Sequence, residues 1–305
     1  MRPDDPDPAT IEVLAAHIFP ERASLTVERV PEGVSTFVYR IRRGSQTLYL
    51  RILPEIDASF APEAYAHRTL RARGVRVPEV VYVEHCNEIV QRSVMVTTEI
   101  EGCHVGQRPV DGATHRILFE AGQQLAIINS IPVDGFGWIK RDQRDVHRLE
   151  AEHPTHRAFA TAHLEDDLAA LEGRILNQSE ITAIRSIVER HASWLETEHG
   201  RLAHGDFDVT HIFQQDGRYT GIIDLGEIRG ADLWYDLGHF RAHDGETLPA
   251  PLLDHLVAGY REVTPLPDDH HQRICFTSLL LALRALAHRL HKYPRAVHVH
   301  QALLR

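Results

Sequence analysis

Apolar and polar positions alternate along three early runs, 25–30, 36–41 and 47–53, which are rich in β-branched and aromatic residues. Pro31-Glu32-Gly33 and Arg43-Gly44-Ser45 separate them, so the pattern predicts three short strands. At 61–73 the period lengthens to that of an amphipathic helix, with Ala64 and Leu70 facing inward and Gly74 as the stop. Residues 80–83 and 94–97 return to strand character. Together these runs predict an antiparallel sheet of about five strands, with one helix inserted after the third. A short helix at 11–18 precedes it.

Beyond Gly102 the helical period dominates. Residues 115–131 place Leu118, Ala121, Gly122, Leu125 and Ile128 on one face, and 132–137 breaks the run. Helices are expected at 157–171, at 180–199 and over most of 252–290. Another is expected to begin in 230–237, with Asp232 as N-cap and Asp236 anchoring a nearby loop. No repeat or low-complexity tract interrupts the pattern. The fold class expected is α+β and two-lobed, a small antiparallel β lobe followed by a larger, mainly helical one. The boundaries expected are 1–96 for the first lobe, 97–102 for a hinge and 103–305 for the second.

Composition narrows the function classes. The chain has 305 residues, 43% of them hydrophobic, enough for a sizeable core. No apolar run reaches membrane-spanning length, and the Asp- and Pro-rich start lacks an apolar signal core. Cys86, Cys103 and Cys275 are scattered, which points away from disulfides and toward a reducing cytoplasm. The formal charge of −10 disfavours nucleic acid as a partner; it reads first as a device for solubility and, more sharply, as an attraction for a cationic substrate. A monomer is expected. Lys140 and Lys292 are the only lysines, so any fixed cation earlier in the chain is Arg or His. Although the chain holds 22 histidines, His270-His271 and His298-Val299-His300 fall in polar, solvated stretches rather than a metal site.

The chemistry concentrates in His204-Gly205-Asp206-Phe207-Asp208 and in Asp224. Asp216-Gly217 between two apolar runs signals a two-residue hairpin turn. Pairing Gln215 with Arg218 would set His211 opposite Ile222, with Asp224 at the open end. Asp206, in a tight loop, could take a proton from a hydroxyl, and Asp208 competes for that role. Asp224 and His211 could ligate a divalent ion. Taken singly, each also reads as a turn carboxylate, a strand-opening histidine or a capped strand end. In the first lobe, the backbone and small hydroxyls of Gly33, Ser35 and Thr36 could lie over phosphates. Arg51 could pair with Glu63.

These residues, in this order, resemble the aminoglycoside phosphotransferases, the small-molecule branch of the protein-kinase-like fold. The resemblance spans roughly 25–245 and rests on His204-Gly205-Asp206, Ile223-Asp224, Glu227, Asp232 and Tyr235-Asp236. Gly135-Phe136-Gly137 and Arg51 look most like the hygromycin-type members. The resemblance implies an ATP- or GTP-dependent O-phosphotransferase acting with Mg2+ on a hydroxyl of a small polar molecule, an aminoglycoside-like antibiotic or related metabolite. Asp206 would be the base, and His211 and Asp224 the metal ligands. Arg51, held by Glu63, would meet the phosphates beneath the Gly33, Ser35 and Thr36 loop. Val96, Thr98 and Ile100 would receive the purine, while Glu227 and Asp208 would face substrate. Two departures stand out. Position 211 is commonly Asn in the family, although macrolide-phosphorylating relatives carry His, and the usual small-lobe Lys is Arg51. They motivate an alternative, a nucleotide-binding pseudokinase or regulatory module without turnover.

Overall fold

The computed structural model describes residues 5–20, 25–31, 36–245, 248 and 251–292. Helix α1 is Pro8–Ile18, strand β1 Leu25–Val30, β2 Phe37–Arg43 and β3 Gln46–Ile52. Helix α2 (Ala61–Ala72), β4 (Val80–Asn87) and β5 (Arg92–Thr98) complete the N-terminal block. All five strands pair antiparallel in the order β1-β2-β3-β5-β4, with α2 inserted after the third, as the hydrophobic pattern predicts.

The alternation sets what each face of this sheet does. Phe37, Tyr39, Ile41, Leu48, Leu50, Ile52, Val94 and Val96 point to one side and bury against Ile11, Leu14 and Ala15 of α1. Each large side chain so buried contributes roughly 1.5–3 kcal/mol. Truncating the fully buried Leu50 to Ala would cost about 2–5 kcal/mol. Because β3 and β5 pair Arg51 with Met95, these two share the opposite face. There Met95 clusters with Leu53, Phe60 and Ala64 from the start of α2.

Compactness divides the chain into two units. The first takes the chain up to Cys103 together with Lys140–Leu149 and Ile212–Gly226, two segments that a contiguous division at the hinge leaves out. The second segment holds the expected hairpin, Ile212–Gln215 with Arg218–Ile222. Asp216 and Gly217 both have positive φ, the conformation a tight two-residue turn requires. Gln215 pairs with Arg218 as expected, but a bulge at Thr220 then shifts the register, so Ile212, not His211, faces Ile222. The Thr220 hydroxyl donates to the Glu101 carbonyl at 2.8 Å, which fixes the bulge in place.

The second unit contains more strand than its sequence suggests. Its helix Gly112–Ile128 starts on an Asp111 capping box and packs against Leu253–Val263. Glycines allow this close approach: a Cβ on Gly259 would lie 1.8 Å from the Phe119 carbonyl oxygen, and one on Gly122 2.0 Å from that of Leu256. Three expected helices are shorter or divided. The first splits into His156–Ala160 and Leu164–Leu171; the second ends at Arg190, where Gln178–Arg190 stops. The last divides into Leu253–Val263 and His270–Lys292, with Pro265 and Pro267 between them. The expected break at 132–137 instead supplies strands Pro132–Asp134 and the start of Phe136–Ile139. With Leu149–His153, Gly200–Ala203 and Arg229–Ala231 they close a small barrel. Among the described residues no helix is long and apolar enough to cross a membrane.

Candidate active site

Strand Gly200–Ala203 delivers the chain into His204-Gly205-Asp206. The loop is held from below by Asp236, which is 1% exposed and lies in the first turn of the helix Tyr235–His243. Asp236 Oδ2 accepts the His204 N–H and Oδ1 accepts the Gly205 N–H, both at 2.9 Å. Asn129 Nδ2 donates to the same carboxylate at 2.9 Å and to the Leu202 carbonyl, and the buried Tyr260 hydroxyl donates to Asn129 Oδ1. The expected anchoring role of Asp236 is therefore met by backbone hydrogen bonds. Gly205 is dictated twice over, because its φ is +92° and a Cβ would lie 1.8 Å from the Glu227 carbonyl oxygen.

This frame leaves Asp206 half exposed, with its side chain at 44%. Two imidazoles flank it: His239 Nε2 at 3.4 Å from Oδ1 and His211 Nε2 at 4.0 Å from Oδ2. His239 is the more enclosed. Burial, then the neighbouring His243, pushes its pKa down against the opposing pull of Asp206, so the ring favours its neutral form. Asp208 turns away to accept the Thr210 N–H at 2.6 Å and the Thr210 hydroxyl. Burial would raise its pKa, but those bonds and His211 outweigh burial and hold it low. It therefore acts as a loop-fixing carboxylate. His104 lies in the same field. Burial lowers its pKa and its Nδ1 is buried without a hydrogen-bond partner.

His211 Nδ1 sits 2.6 Å from the Asp206 carbonyl oxygen and so donates to it. Nε2 is then the nitrogen that carries the lone pair, the tautomer a metal ligand needs. In the first unit, Asp224 is exposed and held at φ +62°, a left-handed conformation that costs a non-glycine residue energy and often marks functional positions. Its Oδ1 accepts the Gly226 N–H at 3.3 Å. Among the described residues no group of three or more His, Cys, Asp or Glu is placed to hold a metal.

Also in the first unit, Arg51 donates to Glu63, and the pair is nearly buried at 12% and 4% exposure. Burial would raise the Glu63 pKa, but Arg51 first and then His67 hold it down to about 2. Burial works against the Arg51 charge, and Glu63 and Asp224 more than restore it. Sequence reasoning missed Arg141, which donates to the Gly226 carbonyl beside this group.

Other expected site residues fall as follows. Gly33 and Ser35 lie outside the described residues, and Thr36 is buried. Val96 packs in the core beneath α1, on the face opposite Arg51, so only its backbone could meet a ligand from Arg51's side. Thr98 exchanges hydrogen bonds with Glu79, and Ile100 packs over Gly221. Glu227 pairs with Arg229 at 2.9 Å. Asp232 does not cap a helix. It is buried 3.7 Å from His156 and accepts the Trp234 N–H, because the helix begins later, at Tyr235.

The sequence model of the APH phosphotransferase enzyme family matches residues 26–274. Among solved structures, a thermostable mutant of aminoglycoside phosphotransferase APH(4)-Ia is similar over 96% of each chain, with TM-score 0.66 and 16% identity. The macrolide 2'-phosphotransferase MphH from Brachybacterium faecium matches over 97% of this chain and 98% of its own, with TM-score 0.57 and 19% identity. A putative fructosamine-3-kinase from Thermobifida fusca matches over 96% and 98%, with TM-score 0.59 and 19% identity. These likenesses establish the kinase-like α+β fold. No curated protein matches the sequence. Since the family model covers most of its length, the chain belongs to the phosphotransferase enzyme family.

Proposed function

We propose that the chain is an ATP- or GTP-dependent O-phosphotransferase that phosphorylates a hydroxyl of a small molecule. The observation that carries this reading is the clamped loop, in which Asp236 fixes His204 and Gly205 and leaves the Asp206 carboxylate half exposed between two imidazoles. Asp206 accepts the proton of the acceptor hydroxyl while that oxygen bonds to the terminal phosphorus and the nucleoside diphosphate departs. Arg51, oriented by Glu63, binds phosphate oxygens through its two terminal N–H groups. The Gly33, Ser35 and Thr36 loop covers the phosphates, and the chain from Val96 through Thr98 to Ile100 contacts the purine. Asp224 and His211 are the groups offered to magnesium, which neutralises charge on the transferred phosphoryl group when bound. Glu227 lies on the acceptor side.

Structures of APH(4)-Ia variants with AMP-PNP and hygromycin B, and with ADP and hygromycin B, support an adenine nucleotide as the donor to try first. Purified protein with magnesium and ATP or GTP should release nucleoside diphosphate when an acceptor is supplied, and Asp206→Ala should abolish that release. Nucleotide-induced thermal stabilisation without turnover on any acceptor would replace the enzyme with a nucleotide-binding module.

A further inference from the structure

All three tryptophans of the chain, Trp138, Trp194 and Trp234, line one cavity of about 300 Å³ in the second unit. A smaller cavity lined by Asp206 and His239 shares Arg229 and Tyr235 with it, so the aromatic chamber adjoins the candidate base. A polycationic acceptor would need carboxylates and open aromatic faces in that chamber. Neither is offered. Asp167 is bound by Arg284 at 2.9 Å, and Asp232 is buried beside His156, where burial raises its pKa. The indole faces already carry the protein's own cations. Arg229 lies 4.0 Å over Trp138, and Arg273 lies 4.9 Å over Trp194 and 5.8 Å over Trp234. Three arginines, Arg229, Arg273 and Arg284, also line the cavity, each paired with a carboxylate of the chain, so these carboxylates are already engaged.

We infer that this chamber takes an alcohol with a broad apolar face and no more than one positive charge, rather than a polycationic aminoglycoside. This deepens the phosphotransferase reading and rests on it. Rigid indole and phenol rings offer wide contact area at little entropic cost, and they suit the C–H faces of sugar rings or a macrocycle.

The tryptophans are also the probe. Intrinsic fluorescence of the Asp206→Ala variant, titrated with erythromycin and phenyl glucoside against kanamycin and hygromycin B, reads binding without turnover. The first pair should give saturable changes at least about tenfold tighter than the second and little altered by about 0.5 M salt. Adding Trp138→Ala, at a residue 38% exposed and so tolerant of truncation, should weaken that binding about tenfold. Tighter, salt-sensitive binding of kanamycin or hygromycin B, or no binding of the first pair, overturns the inference. Phosphate transfer preferentially to kanamycin by the unmodified protein would overturn it too, while leaving the phosphotransferase reading intact. Binding of phenyl glucoside or erythromycin with no nucleotide turnover on any acceptor would remove that reading and leave the chamber's selectivity standing.

Discussion

Nε2 of His239 lies 3.4 Å from Oδ1 of Asp206, while its Nδ1 faces the Phe207 carbonyl oxygen at 3.2 Å. With Nδ1–H donated to that carbonyl and the ring neutral, Nε2 turns a lone pair toward the carboxylate. That arrangement becomes a hydrogen bond only after Asp206 has taken a proton. His239 therefore favours the protonated product of base catalysis and sets the Asp206 rotamer. His239→Phe should lower kcat about tenfold and leave the nucleotide KM near its original value. Steady-state kinetics checks this; a change confined to KM would contradict the positioning role.

Asp236 makes the strongest stability prediction in the second unit. It receives two backbone N–H groups and the Asn129 amide in a site closed to water. Asp236→Ala would strand all three donors and should destabilise the protein by about 3–5 kcal/mol. Asp236→Asn retains one acceptor but turns an amide donor toward another donor, so about 2 kcal/mol is expected. Urea denaturation measures both. The Asn variant should also lose activity beyond its loss of stability, because Asp206 rides on the clamped loop.

The first unit should respond to acid through Glu63. Its folded pKa of about 2 lies below the reference value of 4.5. Above pH 4.5 both folded and unfolded states are ionised, and the full advantage of the pair is present. As pH falls, the unfolded state takes up the proton first, so stability drains between about 4.5 and 2. The total is on the order of 3 kcal/mol, with about 2 kcal/mol of it gone by pH 3. The unfolding free-energy gap between the native chain and Glu63→Gln should therefore narrow between pH 5 and pH 3. A gap independent of pH would dissociate Glu63 from the effect. Removing the partner, as in Arg51→Met, would leave a buried carboxylate and should cost about 3–5 kcal/mol at neutral pH.

The sequence reveals those features whose cause is local. Alternation in 25–53 specifies the sheet and its buried face, and Asp216-Gly217 specifies its turn because both residues tolerate positive φ. The alternation that reveals the sheet also places Val96 opposite Arg51, since Arg51 pairs with Met95. Features set by distant partners stay hidden. The Thr220 bulge depends on the Glu101 carbonyl, and Asp232 is committed to His156 rather than to a helix cap. The barrel strands run only three to five residues, too short for a period to emerge. His239 and Arg141 carry no motif, and only the fold brings them beside Asp206 and Gly226. The aromatic chamber is hidden for the same reason, its tryptophans lying 40 or more positions apart.

His211 is the departure from the family pattern with the clearest chemical consequence. Its Nδ1–H is committed to the Asp206 carbonyl at 2.6 Å, which leaves Nε2 as the donor atom. Imidazole nitrogen is a poorer ligand for the hard magnesium ion than an amide oxygen and a better one for manganese or cobalt. Activity with manganese relative to magnesium should therefore be higher in the native chain than in His211→Asn, by about three- to tenfold on the usual scale of ligand effects. His211→Ala should weaken both metals and also release the Asp206 carbonyl, lowering kcat by about 10–100-fold. Initial rates across a magnesium and manganese titration decide the matter. An unchanged metal ratio in His211→Asn would make His211 a backbone-fixing residue, and in that case His211→Gln, which can still donate to the carbonyl, should restore most of the activity lost in His211→Ala.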